Sequence, residues 1–244
     1  DRGAGEPLSI KQMVDYMVAR YNTDPERVFA TGLSGGGAMT AVMMSTYPDV
    51  IKGAAIVAGM PYKCATNAEE LLGYPTGCGD ISLPYNPPTM NKSAEVWGNL
   101  VLNAFPDYSG TYPKVSIWHG EYDMIVHSDM VNQLVKQWTY VHNIDMIADE
   151  TSNPTATSEY NAYKNASGET LVETYVISHE QPVTENLPTL EGMTSFTPGF
   201  GHFIAVDPSS NLISGGCGVA SGFCRDVGIC STYRIAEFWG IIEK

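Results

Sequence analysis

Residues 28–40 read VFATGLSGGGAMT. An apolar run from Val28 passes straight into a glycine-rich turn with one hydroxyl, Ser34, at its centre. Gly32 lies two residues before that serine and Gly36 two residues after it, the Gly-x-Ser-x-Gly spacing of a strand–turn–helix elbow. Such a turn is so tight that glycines must flank it, and it lifts the hydroxyl above a sheet at the start of the next helix. The alternative is a plain strand-to-helix turn with a capping serine. A serine hydroxyl is a poor nucleophile until a base takes its proton. The reading therefore depends on whether the rest of the chain supplies a base and an acid.

Outward from the elbow, apolar runs and helical patterns alternate. Ala38 to Tyr47 is read as a helix closed by Pro48. Upstream, SIKQMVDYMVARYN places Ile10, Met13, Val14, Met17, Val18 and Tyr21 at helical spacing. Ser9 with Gln12 reads as a capping box, and Leu8 as a staple onto Met13. RVFATG, IKGAAIVAG (51–59), KVSIWHG and TLVETYVIS read as four buried strands. A helix is expected over 129–142 with Met130, Leu134, Val135 and Trp138 inward, and a last helix in STYRIAEFWGII with Ser231 as cap. Residues 60–113 read as an irregular insertion with one helix near 94–102, residues 145–170 as polar loop, and 180–230 as mostly loop. Strands alternating with helices in this way imply a mostly parallel sheet with helices on both faces, in one α/β domain over residues 1–244.

In such a sheet the acid and then the histidine follow the serine in chain order. VSIWHGEYDMIV supplies Asp123 in the first turn beyond the third strand, with Glu121 and Asp129 as rivals. Five histidines compete for the base. His119 ends a strand and reads as structural, His127 and His142 flank a helix, and His179 directly follows the fourth strand. His202 sits in the glycine-flanked loop TPGFGHFIAVDP, where a base can reach back over the sheet. Asp207 in that loop reads as a turn residue. Ser34, Asp123 and His202 are thus the candidate nucleophile, acid and base, with the Gly35 N–H as oxyanion donor and no need of a metal or cofactor.

The chain has 244 residues, 43% of them hydrophobic, and a formal net charge of −14. That charge, without a basic run, argues against nucleic acid and anionic membrane surfaces as partners. No run of eighteen apolar residues occurs, and the opening DRGAGEPLS has no apolar signal core, so any targeting peptide is expected to be gone already. The five cysteines, Cys64, Cys78, Cys217, Cys224 and Cys230, lack zinc-ribbon or redox-motif spacing. Three of them crowd a glycine-rich stretch that suits a disulfide-stapled loop, and an odd count leaves one thiol over. The sequons at Asn91 and Asn165 permit glycosylation.

Four stretches carry a further likeness: SIKQMVDYMVARYNTDPERVFATGLSGGGAMTAVM, YPDVIKGAAIVAGMPYKCA, VSIWHGEYDMIV and GICSTYRIAEFWG. With them the chain resembles the catalytic domain of the secreted esterase group that holds polyhydroxybutyrate depolymerases, feruloyl esterases and acetylxylan esterases. The resemblance implies an α/β-hydrolase fold with a Ser-Asp-His triad, which falls on Ser34, Asp123 and His202. It implies disulfides between Cys64 and Cys78 and between Cys217 and Cys230, leaving Cys224 over. It also implies a secreted serine carboxylesterase acting on feruloyl or acetyl esters of plant cell-wall polysaccharide, or else on a short-chain polyhydroxyalkanoate. An inactive hydrolase fold used for binding is the reading from another class. The histidine loop departs from the family's usual His-Gly and then proline. His202-Phe203-Ile204 makes this wall of the pocket more apolar, and Tyr62, Tyr85 and Phe203 are candidates to line an acyl site. Finally, the family's fold places strands before the helix at Ser9, so an upstream segment of the same domain is expected as a partner of RVFATG.

Overall fold

A computed structural model describes residues 1–67, 70, 78, 90–123, 125–178 and 201–242. In chain order the elements are α1 (Gly5–Tyr21), β1 (Phe29–Leu33), α2 (Gly35–Thr46), β2 (Gly53–Val57), α3 (Ala94–Leu102), β3 (Lys114–Gly120) and α4 (Met130–Val141). There follow β4 (Glu150–Thr155), β5 (Ser158–Lys164), β6 (Thr170–Ile177), β7 (Ile204–Val206), β8 (Cys224–Asp226) and α5 (Ser231–Trp239).

The main sheet has six strands in the order β1-β2-β3-β6-β5-β4. β1, β2, β3 and β6 are parallel, and these are the four strands expected from the apolar runs. Their register places Leu33, Val57, Trp118 and Tyr175 in one row, so all four carboxyl ends open on the same edge of the sheet. That edge is where an α/β sheet gathers its functional loops. Every residue of β2 is buried, as a continuous run of small and branched apolar side chains requires when both faces of a parallel sheet are covered.

Residues 145–170 are a correction. They form the antiparallel hairpin β4–β5, which extends the sheet beyond β6. Their Asn, Ser and Thr content hides the alternation, which survives only as Ser158 and Ala162 turned inward. The helix starts differ as well. α1 begins at Gly5 behind Ala4, with no side-chain cap. Ser9 therefore lies inside the helix, and its hydroxyl donates to the Gly5 carbonyl at 3.4 Å. At α5 the cap is Cys230, whose sulfur accepts the Tyr233 N–H, while Ser231 turns inward and donates to the Ala205 carbonyl at 2.8 Å. α3 matches its expected span, with Ser93 accepting the Val96 N–H.

The core beneath the site is aliphatic and aromatic. Met44, Ile56, Ile117, Leu134 and Trp138 are fully buried between α2, the sheet and α4, each contributing about 1.5–3 kcal/mol. Two glutamines answer polar groups drawn into this core, whereas the Trp138 indole N–H has no partner among the described residues. The Gln133 carbonyl accepts the Trp97 indole N–H at 2.9 Å, and Gln137 bonds both backbone groups of Tyr62. On the outer side β1 is the edge strand among the described residues. α1 packs beside it loosely, with Met13, Met17 and Tyr21 exposed and Ile10 turned onto the core.

Candidate active site

β1 ends at Leu33 and α2 begins at Gly35, so Ser34 alone makes the turn. Its backbone sits at φ 59° and ψ −121°, a region that side-chain-bearing residues avoid at a cost of about 1–3 kcal/mol. The Ser34 N–H donates to the Val57 carbonyl at 2.9 Å, tying the strained residue to β2. A Cβ on Gly32 would collide with the backbone of Gly36, so the chain can fold back this sharply only with glycine there. The first amides of α2, from Gly35 onward, have no intrahelical acceptor and carry the positive end of the helix dipole. They stand beside a half-exposed hydroxyl.

Asp123 follows β3 and is held from both sides. Its Oδ1 accepts the backbone N–H groups of Ile125 at 2.8 Å and Val126 at 2.9 Å. Its Oδ2 accepts His202 Nδ1 at 2.8 Å and His119 Nε2 at 3.2 Å. The side chain of Asp123 has no exposed surface. Burial alone would raise its pKa, but the hydrogen bonds and charge interactions of His119 and His202 prevail and bring it down to about 2. His202 is itself buried, on a loop fastened to β3 where the Gly120 N–H donates to the Gly201 carbonyl at 3.2 Å. That approach depends on two glycines: a Cβ on Gly120 would run into Gly201, and a Cβ on Gly201 into the Asp123 backbone.

The structure thus joins Asp123 to His202 and sets Ser34 on the same edge of the sheet. β2 lies between β1 and β3, which puts them about 10 Å apart at the usual strand spacing, the span an imidazole anchored at Asp123 has to bridge. Among the described residues no hydrogen bond links Ser34 Oγ to His202, a contact that commonly tightens only with substrate.

The remaining candidates have other tasks. Asp129 accepts from Asn132 and Gln133 in the first turn of α4, and Glu121 is exposed. His127 Nδ1 accepts the Asp129 N–H. His142 bonds the Pro113 carbonyl, and burial pushes its pKa down to about 4. Asp207 accepts from Ser209 in a turn. His179 and Tyr85 lie outside the described residues. Tyr62 and Phe203, read as acyl-site walls, are buried in the two main apolar clusters, at 4% and 5% exposure, and serve there as packing. Cys64 bonds Cys78 and Cys217 bonds Cys230, with Cα separations of 5.8 and 5.7 Å, and Cys224 is free and half-buried. The contact that sequence reading missed is His119 on Asp123. Its one signal was the spacing of four residues across a strand end.

Among α/β architectures that gather polar loops at the carboxyl ends of parallel strands, the one with a serine elbow entering a helix is the α/β hydrolase, and this fold is of that class. The chain belongs to the prolyl oligopeptidase family, whose model matches residues 9–153. It is 40% identical over 241 residues to poly(3-hydroxyalkanoate) depolymerase C of Paucimonas lemoignei, covering 99% of this chain and 50% of that protein. It is 34% identical over 155 residues to feruloyl esterase B of Talaromyces stipitatus, covering 62% of this chain and 41% of that one. The chain therefore spans half or less of the length of these curated relatives. Among solved structures, an acetyl xylan esterase from Aspergillus awamori shares the fold with a TM-score of 0.60 at 23% identity, over 71% of this chain and 61% of that one.

Proposed function

We propose that the protein is a serine carboxylic ester hydrolase. The observation that supports this most is the buried hydrogen bond from His202 Nδ1 to Asp123. With Nδ1–H committed to the carboxylate, Nε2 is left as the lone-pair nitrogen, the tautomer a general base needs. His202 Nε2 takes the Ser34 proton as Oγ attacks the ester carbonyl. Asp123, ionised throughout, stabilises the imidazolium. The Gly35 N–H donates to the oxyanion, and His202 then returns the proton to the departing alcohol. Water, activated by the same histidine, releases the acid and restores Ser34.

For the substrate we put short-chain polyhydroxyalkanoate esters first, because likeness to a depolymerase runs over 99% of the chain. Feruloyl esters of plant cell-wall polysaccharide are the second reading, favoured by 34% identity to a feruloyl esterase over 155 residues. Two disulfides favour an extracellular site of action.

The test has two arms. A fluorophosphonate probe labels Ser34 in the native protein and fails to label Ser34→Ala, whose esterase rate falls by about four to six decades while the fold persists. An unlabelled Ser34 would favour a binding module over an enzyme. Release from a hydroxybutyrate film and from methyl ferulate, measured side by side, then ranks the two substrates.

A further inference from the structure

Asp123 is shared by two imidazoles, and only one of them belongs to the proposed proton relay. His119 is buried, with no exposed side-chain surface. Its Nε2 lies 2.7 Å from the Val126 carbonyl as well as 3.2 Å from Asp123 Oδ2. Both neighbours are acceptors, so Nε2 must carry the hydrogen and divide it between them. The other nitrogen, Nδ1, is buried without a hydrogen-bond partner among the described residues, so Nε2 makes the polar contacts of this ring. His119 therefore serves as a hydrogen-bond donor through Nε2, with its hydrogen placed by these two acceptors.

Its two contacts close a ring. Val126 N–H donates to Asp123 Oδ1, and Val126 carbonyl accepts from the imidazole that also holds Oδ2. The turn bearing the carboxylate is thereby pinned at both oxygens, and the ring sits at the end of β3, which packs centrally between β2 and β6. The groups that bear on Asp123 are His119 from β3, His202 from the loop after Gly201, and the amides of Ile125 and Val126 from its own turn.

We propose that His119 is a positioning residue for the hydrolytic site: its Nε2–H holds Asp123 Oδ2 in line with His202 Nδ1 and takes up part of the carboxylate's charge. The proposal rests on the esterase reading given above. Without His119 the carboxylate keeps its two amide donors and His202. It then concentrates its charge on His202 and holds the imidazolium more tightly.

The experiment compares wild type, His119→Ala and His119→Gln, the last placing an amide N–H close to the position of Nε2. In His119→Ala, kcat falls about 10- to 100-fold with KM within about twofold, the loss expected of one donor to a charged group. The acid limb of the kcat/KM profile moves to higher pH by about half a unit or more. In His119→Gln both return most of the way to wild type. The downfield proton resonance of His202 Nδ1–H, read by NMR on the same proteins, shifts or broadens in the alanine variant and recovers in glutamine. A drop in kcat with an unmoved limb and unmoved resonance, or no rescue by glutamine in a folded variant, overturns the proposal. The resonance needs no turnover, so failure of the esterase reading is recognised separately, by absence of fluorophosphonate labelling at Ser34 in a wild type that still shows the His202 signal.

Discussion

Replacing Asp123 by asparagine removes one charge and almost no volume, yet it reaches both stability and chemistry. The carboxylate titrates at about 2 in the fold against an ordinary 3.8. That difference corresponds to about 2 kcal/mol. Because the folded value is depressed, the contribution is complete above pH 3.8 and drains away as pH falls towards 2. Asparagine cannot reproduce the contacts. One of its two ends is an NH2 group, and the amides of Ile125 and Val126 require an oxygen on their side. The NH2 must then face His202 and His119, two donors already aimed at it. His202 escapes only by moving its proton to Nε2, which removes the base. We expect Asp123→Asn to melt about 5–10 °C below wild type at pH 7 and to lose about four decades of kcat. Thermal unfolding followed from pH 7 to pH 2 is the assay, read as the wild-type minus variant difference. The difference should be flat down to about pH 4 and shrink below it. A gap that is absent at pH 7, or that stays constant to pH 2, would refute the reasoning.

Three further outcomes are expected. Gly120→Ala forces a methyl group against Gly201 and lifts the histidine loop, so kcat should fall while fluorophosphonate still reaches Ser34 more slowly; a wild-type rate would show that the loop yields without cost. His142 is held neutral, with its pKa pushed down to about 4 from 6.5, so wild type should lose about 3 kcal/mol as pH falls from 6.5 to 4. His142→Asn should lack that slope in a denaturant titration. Reducing Cys64–Cys78 and Cys217–Cys230, which close loops of 14 and 13 residues, should cost about 3 kcal/mol each in unfolding free energy; unchanged chemical denaturation after thiol titration would contradict this.

The elements legible in the sequence are those whose physics is local. The four parallel strands are continuous apolar runs, and the elbow announces itself through glycines that must lack side chains. Order along the chain then ranks Asp123 and His202 among their rivals. The hairpin β4–β5 was hidden because its stability comes from pairing with β6, a tertiary partner, and not from its own Ser, Asn and Thr residues. The α1 start is not legible because Ser9 and Gln12 satisfy a capping pattern that the chain, already helical from Gly5, does not use. The burial of Tyr62 and Phe203 depends on which cluster their loops fold against, and an aromatic in a loop looks the same in sequence whether it packs or binds. His119 reads as one more strand residue until the turn brings Asp123 back over it.

The edge of β1 has a consequence for how the chain behaves as a colloid. Among the described residues the outer edge of β1 has no strand partner, and it lies beside a groove of about 400 Å³ whose wall includes Met13, Met17 and Val28. Two copies meeting there could add strand to strand and cover that apolar wall at once. What opposes the encounter is the formal net charge of −14, which makes every copy repel every other. Repulsion of this kind reaches only as far as the ionic atmosphere lets it, about 30 Å at 0.01 M salt but about 8 Å at 0.15 M. Salt, which leaves the buried Asp123–His202 pair nearly untouched, should therefore turn a dispersed preparation into an associating one, and the balance will tip further as pH approaches the sequence isoelectric point of about 4.6.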